Sequence, residues 1–305
     1  MKRWARRLGI AALALALLLT AVSLAFNLAT RDRDTVVYHG RSVSVDGTRL
    51  AYMRWGTRGT PIVLIGGFVE PAWVWQRTAP LLARDHRVYA VDLPPFGYSQ
   101  RRGPYTLAHW TGLLRDAIAR LHLVRPVVVG HSLGAAVAVS LARDASGIVL
   151  LDGDARPVGG GAGVLARLLV PPWYTSAYRL VTGSDWVFRR TLRNAWGPHP
   201  PPFRDAVLDA WQRPFRVAGT AAAFASMLGS GIQGVSTGTL RNVRAPRLVL
   251  WGADDAVDSP AAGRATARLL RTPFVVVPGA GHLSMLAAPR TVAARIDEFA
   301  RRVES

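Results

Sequence analysis

Several short apolar runs constrain the fold more than any other feature of this chain. They read "PIVLIGG" (61–67), "RVYAV" (87–91), "VVV" (127–129), "IVLL" (148–151), "RLVLWG" (247–252) and "TPFVVVPG" (272–279). Each is too short for a helix, and several are rich in valine or isoleucine. Helical or Pro/Gly-rich segments separate them, with helices expected over 107–123, 133–143 and about 289–303. Strands apolar on both faces belong in a parallel sheet covered by helices on each side, which predicts an α/β fold. Upstream, "VVYHGRSVSVDGTRLAYMRWG" (36–56) reads as two strands joined by a hairpin turn at Asp46-Gly47.

Residues 155–245 break this rhythm. They hold no clear β run, four of the ten tryptophans, and helical stretches at 164–169, 185–195, 203–211 and 215–228. The expected organisation is therefore a sheet core over 36–154, a helical cap over 155–245, and the rest of the core over 246–305. At 305 residues, half of them hydrophobic, the chain can bury a core without staples. It has no cysteine, which excludes disulfides, thiol catalysis and cysteine-ligated metals.

"MKRWARR" precedes a stretch, residues 8–30, that carries no charge. A helix of that length spans the roughly 30 Å hydrocarbon core of a bilayer. The basic flank favours an N-terminus inside and a body outside the cytoplasm. Residues 1–30 are thus expected to form a signal anchor in the cell membrane, with a signal peptide cut after Ala25, and secretion, as the alternative. The net charge of +19 comes almost entirely from arginine and reads first as compositional bias. No basic-aromatic nucleic-acid motif accompanies it, and attraction to anionic lipid is the functional alternative. The cap segment alone has a net charge of +8.

The chemistry-bearing signal is "VVVGHSLGAAVAVSLA" (127–142). Ser132 stands between a strand and a helix, with Gly130 and Gly134 around it. A sharp turn there exposes the hydroxyl at the top of the sheet and points the N–H of Leu133 at the same space. A serine helix cap is the plain alternative. A nucleophilic serine needs a base to take its proton. His282, in "PGAGHLSML", follows a strand on a loop, where parallel sheets gather catalysts. His39, His86, His109, His122 and His199 have no comparable setting, and His131 is expected to pack beside the serine. A carboxylate to hold the base comes from "LVLWGADDAVD", which offers Asp254, Asp255 and Asp258.

With these motifs, and with "DLPPFGYS" (92–99) and "LIGGFVEPAWVW" (64–75), the chain resembles the cap-bearing, cofactor-free serine esterases and lipases of the α/β-hydrolase fold over about residues 37–303. The resemblance assigns the acid to Asp255, fourth in its Gly-x-x-Asp loop, and a second oxyanion donor to the N–H of Phe68. It departs at Gly66, where the family usually has histidine, and at Pro95, where it usually has glycine. It implies an acyl-transfer hydrolase acting on an ester of an apolar small molecule or lipid, with no cofactor or metal. A thioesterase, a carbon–carbon hydrolase or a cofactor-free perhydrolase would use the same residues. An inactive ligand-binding module and a membrane-anchored scaffold are the readings from other classes.

Overall fold

The computed structural model describes residues 2–33, 35–157 and 170–304. It opens with a 28-residue helix, α1 (Lys2–Ala29), whose leucines at positions 13, 17 and 24 are exposed. Among the described residues α1 is long and apolar enough to cross a membrane; a signal sequence has the same properties.

Among the described residues eight strands follow: β1 (Ser42–Val45), β2 (Thr48–Trp55), β3 (Pro61–Ile65), β4 (Arg87–Val91), β5 (Val127–His131), β6 (Gly147–Leu151), β7 (Arg247–Gly252) and β8 (Phe274–Val277). They form one sheet in the order β1-β2-β4-β3-β5-β6-β7-β8. β2 runs antiparallel to β1 and β4, and every other pairing is parallel. The apolar runs account for this directly. Alternate residues of one strand enter two different cores: Val63 and Ile65 pack on one face, Ile62 and Leu64 on the other.

Helices α2 (Ala79–Leu82), α3 (Leu107–Arg120) and α4 (Gly134–Ser140) come from the first half of the core. Between β6 and β7 lie α5 (Trp173–Thr182), α6 (Asp185–Trp196), α7 (Asp205–Gln212), α8 (Thr220–Ser230) and α9 (Thr237–Arg241). The chain closes with α10 (Pro260–Leu270), α11 (Ser284–Ala287) and α12 (Pro289–Glu304). The helix expected at 164–169 lies outside the described residues. The one expected at 215–228 is divided at Gly219 (φ 81°), which leaves a 3-10 turn (Arg213–Arg216) before α8. No helical stretch is expected between 170 and 184, yet α5 starts within "VPPWY" (170–174). Proline is tolerated before the first turn of a helix, where its missing N–H has no partner to lose.

Candidate active site

Four post-strand loops meet at the C-terminal edge of the sheet. The first is the turn after β5. Ser132 has φ 50°, a left-handed conformation that is costly for a non-glycine residue, and its N–H donates to the Leu151 carbonyl at 3.0 Å. The tightness of this turn explains its neighbours. A Cβ at Gly130 would lie 2.1 Å from the carbonyl oxygen of Gly134, so strand and helix could not approach.

The second loop follows β7. Asp255 is buried, and its Oδ1 accepts the N–H groups of Val257 (2.8 Å) and Asp258 (2.9 Å). Its Oδ2 is left for the third loop, after β8, where it lies 2.8 Å from Nδ1 of the buried His282. Of the three aspartates in "GADDAVD", this is the one bonded to the histidine. Asp254 is exposed. Asp258 lines the neighbouring cavity, where burial and then the nearby carboxylates of Asp154 and Asp255 push its pKa up to about 6.

The fourth loop follows β3 and carries Phe68. A Cβ at Gly67 would come within 2.7 Å of the Ser132 Cβ, so only glycine lets this loop lie against the serine. Phe68, Ser132, Leu133 and His282 all border one cavity of about 410 Å³. Among the described residues, Arg156, Pro157, Ile232 and Gln233 of the β6–β7 insertion line its other side.

Beneath these groups lies a charged cluster that the sequence reading missed. His131 is fully buried, with Nδ1 2.7 Å from Oε2 of buried Glu70 and Nε2 2.7 Å from the carbonyl oxygen of His282. Both partners are acceptors, so both ring nitrogens must donate, and that makes His131 an imidazolium. Burial works against its charge, but Glu70 outweighs it and raises the His131 pKa to about 9. Burial likewise opposes ionisation of Glu70, yet the His131 charge and hydrogen bond hold it below the usual carboxylate range. The same Oε2 accepts the N–H of Gly67 at 2.6 Å. One ion pair thus joins the Phe68 loop, the serine strand and the histidine loop. Glu70 also takes space near Gly66: a Cβ there would sit 3.1 Å from the Glu70 Cβ.

Asp152, just past β6, completes the floor. It accepts the Gly252 N–H (2.6 Å) and the Ser284 hydroxyl, and its Oδ2 is 3.9 Å from His131 Nε2. Burial raises its pKa to about 7. The His282 loop is held from above as well: Gly281 and Leu283 donate their N–H groups to Trp196 (2.8 Å) and Ala195 (2.9 Å) at the end of α6.

The model of the Alpha/beta hydrolase family matches residues 62–295 of this chain. The chain belongs to that family. YugF, a hydrolase of Bacillus subtilis (strain 168), is 24% identical over 268 residues, which cover 85% of this chain and 97% of YugF. The structure of a thermophilic esterase from Thermogutta terrifontis superposes with a TM-score of 0.72 at 28% identity, over 87% of this chain and all of that one. A membrane phospholipase A described as a bacterial virulence factor superposes over both full chains with a TM-score of 0.70; at 24% identity that likeness is one of fold.

Proposed function

We propose that this α/β-hydrolase cleaves an ester of an apolar small molecule or lipid through Ser132, His282 and Asp255. The observation that carries the reading is the 2.8 Å bond between Asp255 and His282 beside the cavity that Ser132 borders. Asp255 accepts the Nδ1 proton of His282, which leaves Nε2 free to take the Ser132 proton as Oγ attacks the ester carbonyl. The N–H groups of Phe68 and Leu133 receive the oxyanion. His282 then returns the proton to the departing alcohol. In the second half-reaction it takes one from water, the hydroxide attacks the acyl carbon, and Ser132 leaves with its proton restored. The β6–β7 insertion acts as a cap over the pocket, and α1 anchors the domain at the outer face of the cell membrane. The esterase of Thermogutta terrifontis supports the choice of ester over thioester or carbon–carbon bond.

A fluorophosphonate probe tests this reading, because it captures serines activated by a base. Labelling is expected at Ser132 alone, lost in Ser132→Ala and largely lost in His282→Ala. Folded protein that takes up no probe would sink the serine-hydrolase reading and favour a ligand-binding module.

A further inference from the structure

The end of α1 is built into the domain. Ser23 is buried, and its hydroxyl lies 2.6 Å from the Ser176 hydroxyl of α5. The Asn27 side-chain amide donates to the Pro172 carbonyl at 2.9 Å, and its oxygen accepts from Ser176 at 3.1 Å. Arg179 donates to the Asn27 carbonyl (2.7 Å) and to the Thr30 hydroxyl (3.0 Å). These bonds fix α5 beside residues 23–30, the end of α1 and the residue after it.

That attachment sets a depth. Charge ends at Arg7, and at about 1.5 Å per residue the helix from Leu8 to Asn27 covers roughly 29 Å, the thickness of the hydrocarbon core. Asn27 therefore stands at the outer boundary, and Ser23 lies about 6 Å inside it. A helix bonded to both cannot clear the membrane surface. Its outward residues fit that position. Trp173 and Leu180 are 45% and 60% exposed and, seven residues apart, share one face of α5. Val181 (52%) and Trp186 at the start of α6 (71%) are exposed as well. Interfacial tryptophans of this kind mark the headgroup boundary. A basic rim accompanies them: Arg33, Arg179 and Arg216 line a cavity of about 440 Å³ where the chain leaves α1. With α1 read as an anchor, this positive charge lies on the side of the lipid phosphates, although Arg179 and Arg216 also bond within the domain.

We infer that α5 and the start of α6 lie in the outer interface of the bilayer, with Trp173, Leu180, Val181 and Trp186 among the lipids. This rests on reading α1 as a membrane anchor. It also narrows the substrate. Tyr178, on the core side of α5, touches the Phe224 ring at 6.0 Å, and Phe224 touches Phe68 at 5.9 Å. The membrane-seated helix is therefore two ring contacts from the pocket, which suits an amphiphilic ester drawn from the bilayer.

The absence of cysteine makes the test clean, since one introduced cysteine carries one label. Full-length chains with Leu17→Cys, Leu180→Cys, Trp186→Cys or Val124→Cys would each be labelled with bimane and reconstituted in vesicles of phosphatidylcholine and phosphatidylglycerol. Lipids with a spin label near the headgroup or at mid-chain then act as quenchers. Leu180 and Trp186 should be quenched at least three-fold more than Val124 by the shallow quencher, and Leu17 mainly by the deep one. Leu17 quenched while Leu180 and Trp186 behave like Val124 would overturn the seating of α5 and leave the anchor standing. No quenching at any site would overturn both. All four positions are exposed, so each variant should unfold with the parent's midpoint.

Discussion

Replacing Glu70 by Gln removes one charge beneath the site and keeps the size of the side chain. His131 then faces two neutral acceptors, and burial drives off its proton. The magnitude follows from the imidazolium. Its pKa is raised from 6.5 to about 9, and at about 1.4 kcal/mol per pKa unit the pair stabilises the fold by on the order of 3 kcal/mol. A histidine whose folded pKa is raised contributes in full below its ordinary value and loses that contribution as pH rises through the folded value. The parent should therefore lose stability between about pH 6.5 and 9, and Glu70→Gln should lack this loss. Asp152 also faces the ring, and the His131 charge favours its ionised form, so the difference between the two profiles reads the Glu70–His131 pair together with the response of Asp152. Urea unfolding in detergent, followed by tryptophan fluorescence, measures it. The variant should be about 3 kcal/mol less stable near pH 6, with the gap closing to under about 1 kcal/mol above pH 9. A gap that stays constant with pH, or no gap near pH 6, would refute the assignment of a buried imidazolium.

Two further expectations follow from the site. Asp255→Asn should fold normally and lose about four orders of magnitude in ester turnover, because it favours the wrong tautomer of His282; Asp254→Asn, at an exposed position, should stay within a few-fold of the parent. Gly130→Ala places a methyl group against the Gly134 carbonyl, and a thermal melt should show at least about 3 kcal/mol of destabilisation or no folded protein.

The parallel strands were legible because burial on both faces leaves uninterrupted apolar runs. The loops that carry Ser132, Asp255 and His282 were legible because each follows such a strand. The charged floor was not. Glu70 and His131 are 61 residues apart, and His131 reaches the His282 backbone across 151 residues, so no local pattern records either contact. One signal was available: Glu70 is the only charged residue between Arg58 and Arg77, inside an apolar segment that must be buried. An acid there needs a partner. The helix α5 was hidden because Pro171-Pro172 reads as a break, although proline also precedes helices. Its bonds to α1 join segments about 150 residues apart and left no trace in either.

The backbone bonds from Gly281 and Leu283 to the end of α6 limit how the insertion can move. His282 sits between those two donors, with its own carbonyl pinned by His131. A rigid-body swing of the α6 side would drag the imidazole away from Asp255 and break their 2.8 Å bond. The α6 side is therefore a fixed wall, opposite the stretch where Ile232 and Gln233 border the cavity. That stretch is tied back to Ala155 by the N–H of Val235, and Gln233 accepts the N–H of Leu107. Both walls of the cavity are thus held by hydrogen bonds, and opening either one requires breaking them.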